Sequence, residues 1–310
     1  MGAAASARVL VNGAGAPKAN SRDGDAHDAD ALLEIAVEAA TMAGALLLER
    51  AQRGAESEVS SKSTPTDLVS EADLASERAI RELLARRRPD DGFLGEEGGH
   101  EDSSSGLSWV VDPLDGTINF LFGIPQWCVS VAVRDGEGSV AGAVYDPNRD
   151  ELFTARRDGR ATLVGPKGAV ELGGRESAGP VAPVGDPRGG ESSSEAGGGE
   201  LATAMVATGF AYDASVRAAQ AKVLARLLPR VRDVRRFGSA ALDLAWTAAG
   251  RYDAYFERSV KQWDVAAGAL ICERVGLSVL ELPVHVQLPW GILVARPALA
   301  EALLELVGGG

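Results

Sequence analysis

An apolar run, Trp109-Val110-Val111, stops abruptly in Asp112-Pro113-Leu114-Asp115-Gly116-Thr117-Ile118-Asn119-Phe120. The run reads as a buried strand over 108–111. Pro113 fixes a turn, and Gly116-Thr117 allows a second change of direction into a helix. Two carboxylates three residues apart at a strand end repel each other unless a cation lies between them. Oxygen donors in a turn suit a hard divalent ion, with the Leu114 carbonyl as a further ligand, and a helix N-terminus beside them attracts an anion. On local sequence alone, a metal-plus-phosphate site and a structural Asp-rich turn are equally supported.

The chain around this strip has 310 residues, room for one large or two ordinary domains. Its net charge of −13 disfavours broad binding to nucleic acid or an anionic membrane. Cys128 and Cys272 sit in apolar runs and read as buried free thiols. No continuous apolar run reaches membrane-spanning length, no secretory signal is evident, and a cytoplasmic protein is expected. His27, His100 and His285 have no matching Ser or Cys elbow, HExxH or Walker A motif, which disfavours serine hydrolase, zinc protease and ATP-driven chemistry.

The periodicity predicts an aperiodic, disordered tail over 1–27 and an N-terminal α+β part over 28–172. A Gly/Ser/Pro-rich loop or linker follows over 173–199, then a C-terminal α/β part over 200–310. The first helix starts near Asp28 or Asp30, with Leu32, Ile35, Ala36, Ala39, Met42, Ala43, Leu46 and Leu47 on one face. Ser70-Glu71-Ala72-Asp73 opens a second helix to about Arg87. A strand meander fills 127–172. In the C-terminal part, strands are expected at 201–207, 231–236, 253–256, 277–282 and 292–294, and helices at 214–228, 239–249, 263–275 and 297–307. Asp264 opens the third of those helices and, read alone, is its N-cap.

Five ordered segments carry a resemblance. They are Lys62 to Asp73, Gly95-Glu96-Glu97, Asp112 to Phe120, Phe237-Gly238-Ser239-Ala240-Ala241, and Trp263-Asp264-Val265-Ala266-Ala267-Gly268. Together they resemble the inositol monophosphatase family of lithium-sensitive, Mg²⁺-dependent sugar phosphatases. The resemblance implies a layered αβαβα sandwich and hydrolysis of a small phosphate monoester by metal-activated water, with two or three Mg²⁺ ions. It implies that Glu96, Asp112 and the Leu114 carbonyl hold one ion and that Asp112, Asp115 and Asp264 hold a second. A third would be shared through water by Glu96, with Glu97. Thr117 and Asp73 would orient and deprotonate the attacking water. Asp115 and the Gly116 and Thr117 amides would lie against the phosphate end of the substrate, and Gly238, Ser239, Ala240 and Glu257 against the leaving alcohol. Myo-inositol 1-phosphate is the expected substrate. Histidinol phosphate, fructose 1,6-bisphosphate and a nucleotide bisphosphate are alternatives with the same chemistry, and a non-catalytic regulator is a third reading. The family is often dimeric, and a homodimer stays open. The chain departs from the family pattern at Arg274-Val275-Gly276-Leu277, in the short stretch from Pro283 to Trp290 and in the long 173–199 loop. These departures bear on substrate preference and the subunit interface.

Overall fold

The structure, a computed structural model, describes residues 28–53, 59–61, 68–173 and 198–309. The 1–27 tail, residues 62–67 of the first family segment and nearly all of the 173–199 loop lie outside the described residues. In chain order the elements begin α1 (Ala29–Arg53), β1 (Val59–Ser61), β2 (Leu68–Ser70), α2 (Glu71–Arg87), β3 (Gly92–Gly95), β4 (Gly99–Glu101), β5 (Ser108–Asp115) and α3 (Thr117–Leu121). The meander follows as β6 (Cys128–Asp135), β7 (Gly138–Asp146), β8 (Glu151–Arg156), β9 (Thr162–Gly165) and β10 (Gly168–Glu171). The last part runs α4 (Gly198–Thr203), β11 (Met205–Thr208), α5 (Ala214–Leu227), β12 (Asp233–Arg235), α6 (Ala240–Ala248), β13 (Ala254–Arg258), α7 (Gln262–Arg274), β14 (Ser278–Leu282), β15 (Gly291–Ala295) and α8 (Pro297–Val307).

Among the described residues, two sheets dominate. One has eight strands in the order β10-β9-β8-β7-β6-β5-β3-β4, the other five in the order β12-β11-β13-β15-β14. Side chains alternate across each strand, and here both faces are covered. On β5, Trp109 and Val111 enter the core under α1 and α2, whereas Val110 enters the core beneath α6 and α7. On β13, Tyr255 faces that same central core, while Ala254 and Phe256 pack with Val223 of α5 and Leu299 and Leu303 of α8. The layers are therefore α1/α2, the eight-stranded sheet, α6/α7, the five-stranded sheet and α4/α5/α8, an αβαβα sandwich. The strand pattern of 127–133 was expected to alternate; burial on both faces of β6 explains why nearly every residue there is apolar.

Several elements differ from their sequence pattern. Strand β5 continues through Asp115 instead of ending at 111. Residues 198–203 are helical, with the strand starting only at Met205; Leu201 and Ala204 are buried three residues apart, and a short apolar run of this kind fits either period. Gly99–Glu101 is an exposed edge strand paired with β3, and its residues carry no hydrophobic signal. Helix α7 starts one residue earlier and its N-cap is Lys261; Asp264 is the third helical residue, and its carboxylate accepts the Lys261 N–H at 2.6 Å. Helix α1 is, taken whole, long and apolar enough to cross a membrane, although charged residues interrupt its sequence. Its apolar face, including Leu32, Ile35, Ala39, Ala43 and Leu47, is buried in the core with strands β6 and β7.

Candidate active site

Residues three apart on a regular strand point to opposite faces. On β5 the ladder to β6 pairs Asp112 with Ser130 and Asp115 with Cys128, so one extra residue is accommodated between them. Pro113, with no N–H to offer, lies within this bulge. The extra residue brings Asp112 and Asp115 to the same side, where both line a cavity of about 270 Å³. Leu114 lines it as well, and its amide donates to Asp112 Oδ1 at 3.1 Å.

Glu96, from the turn after β3, and Asp264, from the first turn of α7, complete the acidic wall. Burial is the largest force holding the Asp112 carboxyl well above the usual carboxylate range, with the charges of Glu96, Asp115 and Asp264 adding to it. Asp264 is pushed up in the same way, by burial and then by Asp115 and Glu96. Asp115 is raised from 3.8 to about 6 by burial, and its hydrogen bonds hold it back. Those bonds come from the start of α6: the Ser239 hydroxyl and the Ala241 N–H both donate to Asp115 Oδ2 at 2.7 Å. A strand of the first sheet is thereby tied to a helix of the second half of the chain.

Beside this wall, Gly116 takes φ 100° and turns the chain from β5 into α3. A Cβ there would lie 2.9 Å from the Gln126 carbonyl oxygen. The turn directs the Thr117 hydroxyl to Asp73 Oδ1 at 2.9 Å, with the Leu114 carbonyl 3.1 Å away as a second acceptor. Asp73 is fully buried.

Gly238, Ala240 and Glu257 line the same cavity. Glu257 fits tightly over Gly209, where any Cβ would fall about 2.0 Å from its carboxylate. Tyr255 donates to Glu257 Oε2 at 2.9 Å. Burial lifts Glu257 from 4.5 to about 7, against the pull of the Tyr255 hydroxyl and the Arg236 charge. Ser239, expected against the substrate, is instead buried behind the wall, its hydroxyl committed to Asp115.

Comparison with known proteins matches the model of the Inositol monophosphatase family over residues 28–308. The Mycobacterium tuberculosis protein named Inositol-1-monophosphatase SuhB is 42% identical over 252 residues, 79% of this chain and 80% of that protein. The Xylella fastidiosa protein named Nus factor SuhB is 41% identical over 246 residues, 79% of each chain. The crystal structure of the extragenic suppressor protein suhB from Bartonella henselae superposes with a TM-score of 0.72 at 32% identity, covering 89% of this chain and 98% of that one. This chain belongs to the inositol monophosphatase family. It is a phosphoric monoester hydrolase.

Metal dependence is general in this family, and the donor set here fits it. Among the described residues, no three acidic, His or Cys side chains are already gathered around one point as a formed ion site. Glu96, Asp112, Asp115 and Asp264 nevertheless line one cavity together with Leu114. Burial, with the repulsion of neighbouring acids added, raises the Asp112, Asp115 and Asp264 carboxyls, and a hard divalent cation suits such a set of oxygen donors.

Three contributors escaped the sequence reading. Asn119 donates through Nδ2 to the Phe237 carbonyl at 2.6 Å and the Gln126 carbonyl at 2.7 Å, joining α3 to the wall that carries Gly238. Arg236 and Lys261 line the cavity as its basic members. The Asn119 amide within the 112–120 motif was the available signal for the first; the other two are exposed cations just outside the 237–241 and 263–268 segments, and their position beside those segments was the signal.

Proposed function

We propose that the protein hydrolyses a small phosphate monoester in a Mg²⁺-dependent reaction, with myo-inositol 1-phosphate the best single substrate. One observation carries this reading: the bulged strand places Asp112 and Asp115 in the same cavity as Glu96 and Asp264, beside a Thr117 hydroxyl already bonded to Asp73. Glu96, Asp112, Asp115, Asp264 and the Leu114 carbonyl would hold two or three ions. Bound Mg²⁺ would supply Lewis-acid stabilisation of the phosphoryl charge and a more acidic water. Thr117, its proton directed to Asp73 Oδ1, keeps lone pairs with which to accept a proton from the attacking water, while its own hydroxyl proton passes to the Asp73 carboxylate. The Gly116 and Thr117 amides serve the phosphate. Gly238, Ala240 and Glu257 serve the leaving alcohol, and Ser239 contributes by fixing Asp115.

Arg236 and Lys261 favour one variant of this reading, in which the leaving group carries a second phosphate, as in fructose 1,6-bisphosphate. The name of the Xylella relative, Nus factor SuhB, supports a second reading, a regulatory role on the same fold beyond hydrolysis. The complete set of acids keeps hydrolysis the first reading. Phe122, Ile124 and Phe237 are exposed apolar side chains on segments joined through Asn119, and they support a homodimer. We place the protein in the cytoplasm. The deciding test is phosphate release with and without Mg²⁺ from myo-inositol 1-phosphate, histidinol phosphate, fructose 1,6-bisphosphate and a nucleotide bisphosphate. Fastest release from the first supports the proposal, preference for a bisphosphate moves it to the Arg236/Lys261 variant, and no release from any ester leaves the regulatory reading.

A further inference from the structure

We propose that Glu77 is a positioning residue for the metal-binding end of the site, acting through the turn that carries Glu96. The inference rests on the metal-dependent phosphatase reading above. Asp73, Ser76 and Glu77 lie on one face of α2, at i, i+3 and i+4, and all three are buried. Each reaches a different segment of the site. Asp73 accepts from Thr117 at 2.9 Å, Ser76 donates its hydroxyl to the Pro113 carbonyl at 2.7 Å, and Glu77 Oε2 accepts the Glu97 N–H at 2.8 Å. One rigid helix face thus sets the spacing between the water-orienting pair, the Asp112–Asp115 strip and the Glu96 turn.

The hold on that turn is close. A Cβ on Gly95 would stand 2.4 Å from Glu77 Oε2, and one on Gly98 2.0 Å from Oε1, so the backbone on both sides of Glu96-Glu97 lies directly against the Glu77 carboxylate. One turn further along α2, Arg81 lies 3.8 Å from Glu77, donates to the Gly98 carbonyl at 3.2 Å and stacks its guanidinium over Phe93 of β3 at 4.2 Å. Glu96 is flanked by Gly95 and by the Glu97 amide, so its direction depends on peptide units that Glu77 and Arg81 clasp. A carboxylate suits this place because an ionised acceptor bonds a backbone N–H more strongly than a neutral one. The glycines on either side are required because a side chain at 95 or 98 would displace it.

The test compares wild type with Glu77→Ala, Glu77→Gln and Gly98→Ala by calorimetric titration of Mg²⁺ and by the rise in Tm that Mg²⁺ produces, with activity measured in parallel across Mg²⁺ concentrations. Glu77→Ala is expected to weaken Mg²⁺ binding by about tenfold or more, as removal of a ligand-orienting partner does. Activity at saturating Mg²⁺ should fall far less than that, so the effect shows as a shifted Mg²⁺ midpoint. Glu77→Gln keeps an acceptor for the Glu97 N–H and should recover most of the affinity. Gly98→Ala alters only an exposed turn residue, folds regardless of how Glu77→Ala fares, and should shift the midpoint in the same direction. Unchanged Mg²⁺ affinity in folded Glu77→Ala or in Gly98→Ala overturns the inference while leaving the phosphatase reading intact. Absence of Mg²⁺ binding by the wild type overturns that reading as well.

Discussion

Glu257 carries a carboxyl packed on Gly209 and bonded by Tyr255, with its pKa raised from 4.5 to about 7. A raised acid binds its proton more tightly in the folded than in the unfolded chain. Its effect on stability is therefore neutral below the unfolded value, and stability is lost as the pH climbs from about 4.5 through about 7. Chelator-treated Glu257→Gln should match wild type in urea unfolding at pH 4.5 and exceed it at pH 8 by about 1–3 kcal/mol. Lower stability of the variant at pH 8 would show that the charged group is satisfied where it stands. Thr117 has a different signature, because its hydroxyl meets Asp73 and the Leu114 carbonyl without belonging to the acidic wall. Thr117→Ala should lower kcat by about 10²- to 10⁴-fold while the Mg²⁺-induced rise in Tm persists. Loss of both together would mean that Thr117 supports the ion site instead of the water.

At the scale of elements, the site depends on how tightly α7 packs between the sheets. Gly142 of β7 faces Ala267 of α7 so closely that a Cβ would lie 2.9 Å from the Ala267 Cα, and Gly268 meets Leu244 of α6 in the same manner. Gly142→Val should force the helix off the sheet that carries Asp112 and cost about 1–3 kcal/mol, read as a drop of several degrees in Tm; an unchanged Tm would mean that α7 can shift freely. Most elements were readable from periodicity, and α8 matches its predicted span because Pro297 marks its start. The strip 109–120 was readable as acids next to a turn. The bulge that turns both acids the same way was not, because it is a property of the β5–β6 register. The α4 helix was misread as strand, and the β4 edge strand went unnoticed, for lack of a periodic apolar signal.

Across the whole molecule, the parts hardest to read were contacts between distant segments. Asp115 with Ser239 and Asn119 with Phe237 join residues more than a hundred positions apart, and no local pattern announces them. They also explain how a cavity can draw Glu96, Asp112 and Asp115 from one half of the chain and Asp264 and Glu257 from the other. The acids that line the cavity, Glu96, Asp112, Asp115 and Asp264, were legible because metal chemistry restricts which side chains are worth singling out. The rest of the cavity lining was less so, since packing commits the Ser239 hydroxyl to Asp115 and brings Arg236 and Lys261 in. The central claim is that this assembled acid set, led by Asp112, performs Mg²⁺-dependent phosphate ester hydrolysis. The most direct measurement is Mg²⁺-dependent phosphate release from myo-inositol 1-phosphate by wild type and by Asp112→Asn, with far-UV circular dichroism confirming that both are folded. Turnover by wild type and a loss of about 10³-fold or more in the folded variant is the expected result; wild-type-like release by Asp112→Asn would contradict it.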